Sequence, residues 1–161
     1  ASSTCRQSHR KCPTCAANDL DLTPAAFAAI GTPANGVEPV SWEIVECPVS
    51  GPVAFLFQGS NPFFLKLQVR NHRYGVAGMS IGVGATMFTP MTRVSDNFFQ
   101  YTPGSSIPFP ISLRLTDVNG AVLNESIAGP TPVNDIVIPG AGQFPFCSAL
   151  VFADGFEALA P

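Results

Sequence analysis

Gln58 to Tyr74 reads QGSNPFFLKLQVRNHRY, and the fold is decided by how this stretch is read. From Phe64 the residues alternate. Leu65, Leu67 and Val69 fall on one side of a strand, and Phe64, Lys66, Gln68 and Arg70 on the other, because successive side chains of a strand point to opposite faces. The first set is suited to a core. A large aromatic among polar neighbours on the second predicts a surface made to touch something flat.

The same pattern recurs along the chain from Val53 onward. Segments 53–57 (VAFLF), 64–70, 79–83 (MSIGV), 111–116 (ISLRLT), 121–127 and 133–138 are short, rich in branched or aromatic residues and separated by turn formers. Ile111, Leu113 and Leu115 alternate with Ser112, Arg114 and Thr116. Asp117 to Gly120 (DVNG) is a hairpin signal, with Asn119-Gly120 at its end. Seven or eight such strands over about 100 residues predict an all-β chain, an immunoglobulin-like β-sandwich. No predicted helix is long enough for a crossover, which argues against a parallel sheet.

Upstream, residues 1–18 are polar and cysteine-rich. Thr23 suits a helix N-cap and Pro24 the first helical position. Ala25 to Ile30 favour helix until Gly31 and Pro33 stop it. Segment 40–45 (VSWEIV) reads as a strand with Trp42 and Ile44 on one face, and Cys47-Pro48 ends it. Residues 148–161 (SALVFADGFEALAP) form a tail in which Ala149 to Phe152 are apolar enough to add to a sheet edge, in their own domain or a neighbour.

Composition narrows the function classes. The 161 residues are 46% hydrophobic and only 12% charged, about half the usual charged share. A net charge of −3, a pI near 5.2 and eight scattered Lys and Arg give no electrostatic footprint for nucleic acid. No apolar run approaches the roughly 18 residues that span a bilayer. The chain starts at Ala1 without a signal-peptide pattern, as a mature exported protein would.

Five cysteines support that compartment. Cys5, Cys12 and Cys15 crowd the N-terminus, and Cys47 and Cys147 stand far apart. Cys5, His9, Cys12 and Cys15 have the residue types of a zinc site. Few metal sites occupy so short and polar a leader, so disulfides are the preferred reading, with no metal and no other cofactor expected. An odd count leaves one thiol free or paired with another chain.

Catalytic constellations are poorly represented. Among eleven scattered Asp and Glu residues, Asp19 and Asp21 form the one persuasive pair for acid–base hydrolysis. They read better as turn and cap residues before the helix. The histidines, His9 and His72, stand in no triad pattern, and neither a G-x-S-x-G elbow nor a phosphate-binding loop is present. An enzyme is not expected. Sugar binding fits better: flat aromatics stack on the C–H faces of sugar rings while Lys and Gln take the hydroxyls. Phe63, Phe64, Lys66 and Gln68 offer that mixture. Strict alternation makes Phe63 core and Phe64 exposed, unless Pro62 rotates the chain there. His72, Arg70 and Arg73 are assigned structural roles, the arginines pinning a turn through backbone carbonyls.

Residues Leu20 to Tyr74 resemble microbial expansins at the junction of their two domains. Leu20-Asp21-Leu22-Thr23-Pro24 with Ala26-Phe27 is similar to the LDLSPxAF motif that closes the first domain, a double-psi barrel. GSNPFFLKLQVRNHRY is similar to the start of the second domain, a cellulose-binding β-sandwich. Leu115-Thr116-Asp117 with Gly120, and Gln143-Phe144-Pro145, resemble that domain's later strand and end. The resemblance implies three units: residues 1–47 as a short fragment of the barrel domain, 48–147 as the sandwich, and 148–161 as a tail. It implies non-hydrolytic loosening of plant cell walls, with cellulose or a related β-glucan bound on a row of exposed aromatics. Phe63 and Phe64 take the first two stacking positions, and Asp96 stands where the third aromatic is usual. Phe98, Phe99 and Tyr101 are the nearby rings that would replace it. Asp21 matches the first-domain acidic residue associated with wall loosening, although most of that barrel has no counterpart here. Cys47 and Cys147 are expected to pair, closing a loop of about 100 residues and stabilising the sandwich by several kcal/mol in the chain-entropy model. Cys5, Cys12 and Cys15 then lack barrel partners. That, with the apolar tail, raises a second reading, a structural extracellular protein assembling with itself by strand addition and interchain disulfides.

Overall fold

Short strands joined by tight turns build two antiparallel sheets. In this computed structural model residues 15–17, 19–42, 46–84, 87–129 and 135–146 are described. The strands are β1 (Ala54–Phe57), β2 (Leu65–Arg70), β3 (Val76–Val83), β4 (Phe88–Pro90), β5 (Thr92–Arg93), β6 (Phe99–Tyr101), β7 (Ile111–Asp117), β8 (Val122–Ile127) and β9 (Ile136–Pro139). The first sheet has the order β5-β6-β2-β1-β9 and the second β4-β3-β7-β8. Every neighbouring pair is antiparallel. The chain is all-β in its sheets, as the alternation predicts.

The apolar halves of the strands meet between the sheets. Phe55, Phe57, Leu65, Leu67 and Val69 come from the first, and Met79, Ile81, Ile111, Leu113, Leu115 and Ile127 from the second, all at or near zero exposure. Burying large side chains of this kind contributes about 1.5–3 kcal/mol each. That burial fixes register, because a slip of one residue would turn β2's leucines outward.

The DVNG segment forms the expected hairpin between β7 and β8. Gly120 takes φ 85°, the left-handed region that glycine enters without a Cβ clash. Asp117 Oδ1 accepts from the backbone amides of Asn119 and Ala121, both at 2.8 Å, so the aspartate builds the turn from inside. Further upstream, Thr23 caps α1 (Pro24–Ala28) by accepting from Ala26 N, with Pro24 at the first position. The helix stops at Ala28, short of the expected Ile30.

Two strand expectations need correction. Residues 40–42 are not in a strand, and Val40 and Trp42 are exposed there. Residues 43–45 lie outside the described residues. The last strand is Ile136–Pro139, preceded by a turn at Asp135, and residues 133–134 of the expected segment lie outside the described residues. Among the described residues no helix is long and apolar enough to cross a membrane.

One basic residue ties the start of the sandwich to its end. Arg73, 9% exposed, donates from Nη1 to the Phe144 carbonyl and lies with Nε 3.1 Å from Glu46 Oε1. Its guanidinium carbon stacks 3.4 Å from the Phe146 ring centroid. The expected pinning of a carbonyl holds for Arg73. Arg70 instead donates to the side chain of Gln68.

Candidate functional site

Ser60 and Asn61 set the approach to β2. Ser60 Oγ accepts from Lys66 N and donates to Lys66 O, fixing the chain before the strand. Asn61 and Phe64 exchange backbone hydrogen bonds of 2.8 and 3.2 Å, closing a tight turn around Pro62-Phe63. Asn61 Oδ1 also accepts from Phe63 N at 2.9 Å. Because Phe63 sits in this turn and not in the strand, alternation does not apply to it. Its ring is 58% exposed, and Phe64 is half-buried. Strict alternation, which would bury Phe63, does not hold here: Pro62 and Phe63 lie in the turn before the strand, the exception allowed for Pro62.

The next outward residue, Lys66, lies opposite Gln100 in the β2–β6 ladder. Its ammonium is 2.7 Å from Asp96 Oδ2 and 4.6 Å from the centroid of the Phe98 ring. That hydrogen bond holds the Asp96 carboxyl below its usual 3.8, outweighing a smaller opposing effect of burial. Gln68 is 2% exposed, donates to the Asp96 carbonyl at 3.3 Å and accepts from Arg70 Nε at 3.2 Å. Its amide thus positions the 94–97 turn and is not presented to solvent, contrary to its expected part in taking hydroxyls.

The aromatic candidates for a third ring do not extend the surface. Phe99 faces Leu67 across the ladder and is 2% exposed in the core. Its assignment to a binding surface is corrected, because odd positions of β6 point inward. Tyr101 is half-buried and packs on the same core. Phe98 precedes β6 on the outer side but lies under Lys66, 7% exposed. Phe63, Phe64, Lys66 and Asp96 remain: one open ring, one partly open ring and a charged pair. Such a face offers a flat apolar contact beside hydrogen-bond donors and acceptors. The Lys66–Asp96 pair, 30 positions apart in sequence, carries no local sequence signal.

The N-terminal candidates sit elsewhere. Asp21 is exposed in an extended segment before α1. Asp19 accepts from Ala16 N at 2.8 Å, closing a turn as one reading held. Cys15 and Cys47 are each engaged in a disulfide, and Cys47 N donates to Arg73 O at 2.9 Å. Cys5, His9, Cys12, Cys147 and the 148–161 tail lie outside the described residues, and with them the proposed Cys47–Cys147 pairing and the zinc alternative.

Comparison with known proteins extends this picture. The chain is 30% identical over 142 residues to Expansin-YoaJ of Bacillus subtilis (strain 168), covering 83% of the chain and 58% of that protein. It is 29% identical over 130 residues to Expansin-like protein 5 of Dictyostelium discoideum, covering 79% of the chain and 52% of that protein. The chain thus spans little more than half the length of these relatives. In structure it is similar to the expansin of Clavibacter michiganensis, with a TM-score of 0.69, 28% identity and coverage of 84% of this chain and 65% of that one. A mutant of that expansin in complex with cellohexaose matches with a TM-score of 0.70 and 27% identity. No protein-family model matches the chain.

Proposed function

We propose that this chain, which is expansin-like, is a secreted, non-hydrolytic module that binds cellulose or a related cell-wall β-glucan on the face carrying Phe63 and Phe64. The observation that carries the reading is the Asn61–Phe64 turn, which lifts the Phe63 ring to 58% exposure beside a half-buried Phe64. What distinguishes Phe63 is its neighbours: a partly open second ring at Phe64, and on the next outward position of the strand a charged residue paired with Asp96. A sugar face stacked there would cover apolar surface on both partners, while Lys66 and Asp96 meet hydroxyls at the ring edge. The complex of a similar expansin with cellohexaose supports the ligand class. Residues 48–147 are the unit assigned this task. Residues 1–47 are read as a fragment of the barrel domain, in which Asp21 marks the position tied to wall loosening.

Binding to microcrystalline cellulose tests the reading. Replacing both rings (Phe63→Ala with Phe64→Ala) removes a contact worth about 1.5–3 kcal/mol, so affinity should drop roughly tenfold or more. Undiminished binding by a folded double variant would exclude this face. Release of reducing sugar by the wild-type protein would exclude the non-hydrolytic reading.

A further inference from the structure

The 94–97 turn between β5 and β6 carries Asp96 on the outer face and, on its other side, Asn97. Asn97 adopts φ 65°, a left-handed conformation that asparagine tolerates better than most residues. Its Oδ1 accepts two hydrogen bonds from the guanidinium of Arg93, through Nε at 2.9 Å and through Nη2. Arg93 Nη1 donates to the Val76 carbonyl at 3.1 Å, and the guanidinium carbon lies 5.7 Å from the Phe99 ring centroid. The group is held from three directions.

Beside it opens a cavity of about 130 Å³, with apolar walls from Val69, Val76 and Phe99 and polar ones from His72, Arg93 and Asn97. His72 is oriented by a 2.7 Å hydrogen bond between Nδ1 and the Tyr74 carbonyl. A guanidinium has five N–H donors, and the bonds described for Arg93 use three. Among the described residues the ion pairs are Lys66–Asp96 and Arg73–Glu46, so no carboxylate balances Arg93. The nearest acidic position in sequence, Asp96, is committed to Lys66 on the opposite side of the turn.

An oriented cation with donors to spare, beside a small cavity with apolar walls, suits a planar or tetrahedral oxyanion. We propose that this cavity binds a small oxyanion, a carboxylate or phosphate group, with Arg93 as its charge partner and Asn97 as the residue that orients Arg93. The carboxylate of an acidic sugar and a free phosphate share the required chemistry. The site is separate from the Phe63 face and does not depend on polysaccharide stacking there. Arg93 is exposed, so solvent screens the interaction, and affinity on the order of millimolar is expected.

Titration of isotope-labelled protein, followed by NMR, tests this with sodium glucuronate, sodium phosphate, sodium chloride and neutral glucose at matched ionic strength. Glucuronate, phosphate or both should give saturable shifts at the Arg93 Nε–H and the Asn97 amide, while chloride and glucose do not. A response to glucuronate alone identifies an acidic sugar as the ligand, and to phosphate alone a phosphate. Asn97→Asp keeps an acceptor for Arg93 and suits the left-handed backbone, yet places a carboxylate against the cation, so the saturable response should vanish with the fold intact. Arg93→Gln should abolish it independently, while the Phe63→Ala, Phe64→Ala double variant should keep it. No saturable response to either oxyanion overturns the proposal, as does a response that survives in a folded Asn97→Asp or Arg93→Gln protein.

Discussion

Lys66 and Asp96 form an ion pair of 2.7 Å where the resemblance to expansins places a third exposed aromatic. The pair lies over the Phe98 ring, so the surface beside Phe63 and Phe64 is charged where a stacking platform would be flat and apolar. Completing the platform should therefore strengthen it. Asp96→Tyr is expected to tighten cellulose binding by roughly three- to tenfold, the equivalent of about 0.5–1.5 kcal/mol for one aromatic contact. Loss of the exposed ion pair should cost no more than about 1 kcal/mol of stability. A depletion isotherm measures the first effect and urea unfolding the second. Affinity unchanged by the new ring would mean that the Asp96 position does not touch the glucan.

The same pair sets a pH dependence. The hydrogen bond from Lys66 lowers the Asp96 value in the folded state below the ordinary 3.8. A lowered acidic group adds stability above its unfolded value and loses it as pH falls through the folded one. The contribution is thus complete above 3.8 and disappears below it. With the Asp96 side chain 47% exposed, solvent limits it to under about 1 kcal/mol. Carboxyl NMR titration should place the Asp96 midpoint below 3.8, and Lys66→Met should raise it. A midpoint untouched by that substitution would assign the shift to another cause.

Arg73 gives a sharper stability test. Its guanidinium bonds the Phe144 carbonyl, faces Glu46 and stacks on Phe146, and Glu46 also accepts from the Tyr74 hydroxyl at 2.7 Å. A lysine cannot serve these contacts together, since it lacks the planar fork. Arg73→Lys should cost about 1–3 kcal/mol in chemical denaturation. Equal stability of the two proteins would show that the fork is dispensable.

Alternation made β2 and β7 legible because each turns a row of apolar residues into the core, and the DVNG turn because Gly120 and the Asp117 carboxylate supply its geometry. The same rule fails at Phe63 for a physical reason: period two holds only inside a strand, and the Asn61–Phe64 turn precedes it, so exposure there is legible from Pro62 and the resemblance and not from alternation. The Lys66–Asp96 pair was invisible because it depends on how β6 lies against β2, a tertiary fact. Phe98 and Phe99 looked equivalent in sequence. The β2–β6 register separates them, sending Phe99 into the core and Phe98 beneath Lys66.

Glu125 is a charged residue at a core-facing position of β8, between Leu123 and Ile127, and it is 5% exposed. Its two carboxylate oxygens accept from the backbone amides of Ala141 at 2.7 Å and Gly142 at 2.8 Å. The carboxylate thereby joins an edge of the second sheet to the segment that follows β9 of the first. The approach needs glycine at 140, where a Cβ would stand 2.9 Å from Glu125 Oε2 and 3.0 Å from Val53 Cγ2. Glu125→Ala would strand two amides without partners, at about 1–3 kcal/mol each if both stay dry. The expected loss is about 2–4 kcal/mol in urea unfolding. Glu125→Gln keeps one acceptor oxygen but turns an NH2 donor toward the second amide, so it should recover only part of that loss. Gly140→Ala should destabilise by the same route, through displacement of the carboxylate. If Glu125→Gln matched the wild type, a single acceptor would suffice, and the double contact would have no stabilising role.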